Sequence, residues 1–506
     1  MNPDRPHIPR DLDGGHGKES VKSPARVQAA CDHGPVRKLI IVLALLAAGC
    51  SGGPPATAPA QTAQPAQTPS PASPAPAAST PAVKLPASWH LARRGAEHEI
   101  EGYADRVSVL PGERFGLRVS TTAPRFTAVA FRMGAHPTAV WKSPQVKGQR
   151  QAPARTVDGT VTAAHWHPSL TVDTTGWAEG PYLIRLDAST GAQRYVPVTV
   201  RSASTQGRVV MIDAVTTWQA YNLWGGRSLY QGPGGFEGRS RAVTFDRPYD
   251  GNGARLFLDF EQEAFAVAER SGVPLAYLTS LDLKPGVLDG ARAVFSLGHD
   301  EYWSPQMREA VTRARDRGTN LAFLGANAVY WRIGLHDRTV ECDKEQRCRL
   351  WRETRPESAL VGQMYDCFPA EGVYTVSRPN HWIFAGTHGT SFPGMAGVET
   401  DRVSPGSPRD VEVLAESRFS CGGRATVSNS TYYTAPSGAG VFASGTMRWV
   451  CGMRGRQCGH GVPESAAAFT RRATTNLLTR FARGPAAPPA QGAGRRALTG
   501  GRRPPG

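Results

Sequence analysis

No cysteine stands between Cys50 and Cys342 in the 506 residues, so the long middle of the chain has no thiol to serve as nucleophile or metal ligand. A cysteine amidotransferase needs a thiolate on a tight turn after a strand, with a histidine base in reach, and that chemistry is excluded there. An HExxH zinc motif is also missing. Gly225-Gly226 and Gly232-Pro233-Gly234-Gly235 fit neither a phosphate-binding loop nor a dinucleotide fingerprint. The apolar run Leu39 to Ala48 is too short to span a bilayer as a stable helix. No internal repeat is evident. Of the formal charge of +16, +2 belongs to the first 49 residues and +4 to arginines after Arg483, leaving +10 spread thinly over residues 50–483. Without a concentrated basic helix or a nucleic-acid motif, nucleic acid is excluded as the partner, and diffuse attraction to an anionic cell envelope remains.

The front of the chain carries export signals. Arg37 and Lys38 precede the apolar run, and Gly49-Cys50-Ser51-Gly52-Gly53 resembles a bacterial lipoprotein cleavage site, with Cys50 as the lipidated residue. Ala47 stands where a larger aliphatic residue is usual, so secretion without an anchor and a retained signal anchor are the alternatives. The polar residues ahead of Val36 are atypical of a signal peptide, which points to Val36 as the true start. Residues 50–84, rich in Pro, Ala, Thr, Ser and Gln, cannot bury a core and read as an extended tether. The Gly-, Pro- and Ala-rich residues 485–506, with four arginines, read as a disordered basic tail. Cys342, Cys348, Cys367, Cys421, Cys451 and Cys458 form an even set in an exported region, so disulfides 342–348, 451–458 and 367–421 are expected.

Residues 85–204 alternate as β-strands do: Val107–Val109, Phe115–Val119, Ala128–Phe131, Tyr182–Leu186 and Val196–Val200, with turns at Pro111-Gly112 and Asp158-Gly159. That is the pattern of an immunoglobulin-like β-sandwich. From residue 205 to 484 the pattern changes to an α/β domain with a mainly parallel sheet. Ala293–Leu297 is a short apolar strand that empties into Gly298-His299-Asp300-Glu301-Tyr302-Trp303. Ser304 then suits an N-cap and Pro305 the first helical position, with Met307, Ala310, Val311 and Ala314 at helical spacing. Asn320–Leu324 is a second strand, ending at Gly325-Ala326-Asn327, and Arg208–Ile212 a third, running into the loop 217–226. In a parallel sheet the carboxyl ends of strands share one edge, so Tyr221, Glu301 and Asn327 are brought within reach of each other. Taken singly, each aromatic or acidic residue after a strand reads more simply as packing or as a favourable charge near a helix start.

Trp218–Tyr230 (WQAYNLWGGRSLY), Ser296–Ser304 (SLGHDEYWS), Leu324–Arg332 (LGANAVYWR), Gly397–Asp401 (GVETD) and Gly440–Trp449 (GVFASGTMRW) together resemble the large, catalytic subunit of N,N-dimethylformamidase, particularly its C-terminal domain, over roughly residues 90–482. The resemblance implies an amidotransferase-like (flavodoxin-like) α/β domain with a mononuclear Fe(III) held by two tyrosines and a glutamate. By position these are Tyr221, Glu301 and, for the other tyrosine, Tyr182. An ordinary buried strand aromatic is the alternative reading of Tyr182. His299, Asn327 and Glu399 are the catalytic candidates the resemblance implies. Phenolate and carboxylate are hard anionic donors that suit ferric iron better than zinc, which favours imidazole and thiolate. The expected activity is hydrolysis of a small amide in the bacterial envelope or outside the cell, with a small accessory subunit or self-association as the assembly. The rival is a carbohydrate-active or cell-wall-binding surface protein using Asp300, Glu301 and Glu399 without metal.

Overall fold

The computed structural model describes residues 85–488. The presequence, the lipidation position Cys50, the tether and the tail beyond Pro488 lie outside the described residues. Among those described, no helix is long and apolar enough to cross a membrane. The chain is mixed α/β and dominated by strands.

Its first part is built from two antiparallel sheets. One orders Ile100–Ala104, Arg114–Thr121 and Leu170–Asp173; the other orders Ser108–Val109, Gln193–Val200, Gly180–Ala188, Arg125–Arg132 and Thr138–Lys142, with only the Ser108–Val109 pairing parallel. Side chains alternate across a strand, so the two faces of Gly180–Ala188 enter different cores. Tyr182, Ile184 and Leu186 point into the core between these sheets, while Leu183 joins a second core with Val209 and Met211. The larger sheet is therefore covered on both sides, by the smaller sheet and by the α/β part.

The α/β part is organised on a seven-stranded sheet in the order Leu275–Thr279, Val209–Asp213, Ala293–Gly298, Asn320–Gly325, Gly440–Ala443, Arg424–Thr434 and Glu412–Cys421. The first five run parallel; Arg424–Thr434 is antiparallel to Gly440–Ala443, and Glu412–Cys421 is antiparallel to Arg424–Thr434. Both faces are buried, as parallel sheets require. Val294 and Leu321 pack with Met307, Ala310 and Val311 of the helix Pro305–Asp316 on one side. Phe295 and Leu297 pack with Phe469, Ala473 and Leu477 of the helix Ser465–Phe481 on the other. Ser304 caps the first of these helices, its hydroxyl accepting from the Met307 amide at 3.3 Å. The expected loop after the third strand differs: residues 215–221 are a short helix, so Tyr221 is its last residue.

Two glycines bring the strand ends together. Gly298 adopts φ +55°, and a Cβ there would lie 2.4 Å from Phe260 Cβ; one on Gly325 would lie 1.6 Å from the Gly298 carbonyl oxygen. Only glycine permits that approach. A long antiparallel pair, Met364–Thr375 with Ser391–Arg402, carries Glu399 to the same edge. Three disulfides close the expected pairs, Cys342–Cys348, Cys367–Cys421 and Cys451–Cys458. Three such bonds are the mark of an extracytoplasmic or secreted protein.

Candidate active site

Glu301 leaves the carboxyl end of the strand Ala293–Gly298 and is held there by its backbone. Its amide donates to Thr217 Oγ1 at 3.0 Å, and its carbonyl accepts from the amides of Tyr330 and Trp331, both at 3.0 Å. The side chain is almost wholly buried. Tyr221 donates its hydroxyl to Glu301 Oε2 at 2.7 Å, and Tyr230 donates to Oε1 at 2.6 Å. The two phenol rings stack with centroids 4.5 Å apart, and Tyr302 meets both edge-on. Trp331 Nε1 donates to the Tyr230 hydroxyl at 3.3 Å.

Tyr182 is not part of this group, which corrects the expected ligand set. Its hydroxyl donates to the Ala178 carbonyl at 2.7 Å and its ring stacks on Trp177 inside the sandwich. The parity of its strand decides this, because Tyr182 shares a face with Ile184 and Leu186. The second phenol on Glu301 belongs to Tyr230, nine residues after Tyr221, where the chain returns past Gly225 and Gly226, both at positive φ. Tyr230 closes the same WQAYNLWGGRSLY segment that drew attention to Tyr221.

His299 faces the carboxylate and Glu399 faces His299, with Asn327 just past the end of the neighbouring strand Asn320–Gly325. His299 Nε2 lies 3.3 Å from Glu301 Oε2 and 3.4 Å from Glu399 Oε2, without the alignment of a hydrogen bond to either. Burial works against the imidazolium, but Glu399 and Glu301 outweigh it and hold the His299 pKa up to about 10. Asn327 is held at φ +56° by its amide, which donates to Asp401 Oδ1 at 2.8 Å; Val329, two residues on, is at φ +60°. Such backbone in a branched residue is rare and gathers at functional sites. Asp300 turns away from this cluster, accepting from Ser296 Oγ at 2.9 Å.

A residue with no signal in the sequence completes the cluster. Lys344, inside the Cys342–Cys348 loop, places Nζ 3.1 Å from the Tyr230 ring centroid and 4.7 Å from that of Trp331. Burial drives its pKa well below the usual lysine value. Burial opposes ionisation of Glu301 too, but His299, Lys344 and Tyr230 outweigh that and hold its pKa below the ordinary carboxylate range. Burial and the Glu301 charge push both Tyr221 and Tyr230 far above the usual phenol value.

The donor set fits a hard cation. Among the described residues no group of three or more His, Cys, Asp or Glu side chains is placed to hold a metal, so a binding set here must draw on the tyrosines. Tyr221, Tyr230 and Glu301 offer three oxygens, and a trivalent ion is what would ionise phenols in so buried a place. Around them Asn327 Oδ1, Glu399 Oε2, His299 Nε2, Tyr302 Oη and Lys344 Nζ are all buried without hydrogen-bond partners. Buried polar atoms are nearly always paired, so five without partners in one place mark a site built for a ligand.

Residues 126–462 match the family N,N-dimethylformamidase beta subunit-like, C-terminal. The chain belongs to that family. No curated protein sequence matches it. Among solved structures, a cycloisomaltooligosaccharide glucanotransferase of Paenibacillus sp. is similar at 13% identity over 24% of this chain, with a TM-score of 0.15; the chain covers 17% of that protein's length. A cytoplasmic protein of Salmonella typhimurium is similar at 10% identity over 43% of this chain and 85% of its own, with a TM-score of 0.23. A ThuA-like protein of Bacteroides uniformis is similar at 10% identity over 56% of this chain and 93% of its own, with a TM-score of 0.26. At such scores none of these likenesses bears on function.

Proposed function

We propose that this protein is an exported amidohydrolase of the dimethylformamidase type, acting on a small amide, with one ferric ion held by Tyr221, Tyr230 and Glu301. The reading includes an immunoglobulin-like sandwich and an amidotransferase-like α/β domain. What carries it is the convergence of two phenols on the two oxygens of one buried carboxylate. Bound there, the ion would supply Lewis acidity to an amide carbonyl and to a water.

The remaining work falls to the chain's own groups. Glu399 Oε2, buried and unpartnered, accepts a proton from the attacking water as the new carbon–oxygen bond forms. It returns that proton to the nitrogen as the carbon–nitrogen bond breaks, so water and amide give carboxylic acid and amine. His299, whose protonated form Glu399 favours, donates to the oxyanion that develops on the carbonyl, and the Asn327 side-chain Nδ2 adds a second donor. The rings of Tyr221, Tyr230, Tyr302 and Trp331 exclude bulk water, which strengthens each of these interactions. Lys344 Nζ backs the Tyr230 ring and helps hold it against Glu301.

The test is turnover of a panel of small N-substituted amides, with metal content measured on the same samples. Glu399→Gln is expected to keep its iron and lose about a hundredfold or more in kcat, the scale of a general base. A wild type that holds no iron and hydrolyses none of the panel refutes the reading.

A further inference from the structure

Tyr221 and Tyr230 meet on Glu301 only if the eight residues between them fold back on themselves. The short helix Val215–Tyr221 ends there with carbonyls that no further helical turn can satisfy. We infer that Arg247 is the positioning residue that fixes this return and so sets both phenols against Glu301; the inference rests on the reading of those phenols as site groups.

Arg247 is fully buried. Its Nε donates to Gln219 Oε1 at 3.2 Å. Nη1 donates to the carbonyls of Trp224 at 3.2 Å and Arg227 at 2.9 Å, and Nη2 to those of Gln219 at 3.3 Å and Asn222 at 2.9 Å. A guanidinium has five N–H donors in a rigid fork, and all five are used on one segment. The four carbonyls bracket Tyr221, two from the helix end and two from the return. None of the five hydrogen bonds goes to a carboxylate, so the buried charge is met by backbone dipoles. Asn222 ties the same region to the stretch of chain that brings Arg247: its Nδ2 donates to the Pro248 carbonyl at 2.9 Å, and its Oδ1 accepts from the Asp250 amide at 3.0 Å. An apolar side chain at 247 would leave the carbonyls of Asn222, Trp224 and Arg227 unpaired, the Gln219 carbonyl keeping only the Asn222 amide at 3.3 Å. A lysine keeps the charge but, as a point donor, cannot span the fork.

Arg247 makes no hydrogen bond to Glu301, His299 or Glu399, so its effect reaches the site only through the segment it holds. The experiment compares wild type, Arg247→Lys and Gln219→Leu by hydrogen–deuterium exchange and by ferric-ion titration. In a folded Arg247→Lys protein, exchange across residues 219–231 is expected to rise at least tenfold while the strands Val209–Asp213 and Ala293–Gly298 keep wild-type rates. Ferric affinity is expected to fall at least tenfold. Gln219→Leu removes the oxygen that accepts from both Arg247 Nε and Asn222 Nδ2 but leaves the four carbonyl contacts of Arg247, and gives a smaller rise confined to the same segment, which carries the test if Arg247→Lys fails to fold. Wild-type exchange over 219–231 in the folded variants overturns the inference. A wild type that binds no ferric ion defeats the metal reading instead, and the exchange arm still decides the role of Arg247.

Discussion

Glu301 is the residue to which everything else in the site is referred, since one carboxylate accepts two phenols and faces one imidazole. Tyr221→Phe and Tyr230→Phe are each expected to lower ferric affinity at least tenfold by removing one of three donors, read by titration against a competing chelator. Tyr182→Phe is expected to leave that affinity unchanged and to cost about 1 kcal/mol of stability, the usual worth of one hydrogen bond, measured by denaturant unfolding. The true place of Tyr182 was readable in its own strand. In Gly180–Ala188 the face shared by Tyr182, Ile184 and Leu186 is apolar, whereas Leu183 shares its face with Arg185 and Asp187. The wholly apolar parity is the one a sandwich keeps inside. Tyr230 was harder to find, because its approach depends on the Gly225-Gly226 return and on a buried arginine far along the chain. Lys344 left no trace, as a lysine between two cysteines reads as a solvated loop residue.

At the level of elements, the strand, helix, strand unit from Ala293 to Gly325 was plain in the sequence, with its cap at Ser304. Ser304→Ala is expected to cost about 1 kcal/mol, as loss of an N-cap does, measured by thermal unfolding. The outer strands Glu412–Cys421 and Arg424–Thr434 were not legible, because antiparallel partners at the end of a sheet carry no crossover helix to announce them. One junction between elements makes a pH-dependent prediction. Asp213, at the end of its strand, accepts from Thr199 Oγ1 at 2.6 Å, and Glu261 accepts from Trp218 Nε1 at 2.7 Å. The remaining oxygen of each is buried without another partner. Burial raises the Asp213 pKa to about 6, and burial with the Asp213 charge holds Glu261 well above the ordinary range. Asp282 adds to the effect on Asp213. The folded chain therefore keeps protons that the unfolded chain releases, so this contribution to stability is present below pH about 4 and lost as pH rises through about 6. Asp213→Asn is expected to gain stability relative to wild type across that window; a difference that stays constant with pH refutes the raised Asp213 pKa.

On the scale of the whole molecule, the sandwich lends its larger sheet to the α/β core, and disulfides fasten the loops that complete the site. Cys367–Cys421 joins the arm carrying Glu399 to the outer strand across a separation of 54 residues, against 6 for Cys342–Cys348. The chain-entropy relation gives roughly 4 kcal/mol for the first and roughly 2 kcal/mol for the second. Replacing each pair by serines is expected to reproduce that order in denaturant unfolding. The cysteine pairing was legible because the spacing left little choice, whereas the convergence of distant segments needed the fold itself. The most direct measurement is a ferric titration of the purified protein, monitored by the visible absorption that phenolate gives when it binds iron. The account predicts one ion per chain, with the band kept in Tyr182→Phe and diminished in both Tyr221→Phe and Tyr230→Phe. No band in the wild type, or a band that survives at positions 221 and 230 and vanishes at 182, would contradict it.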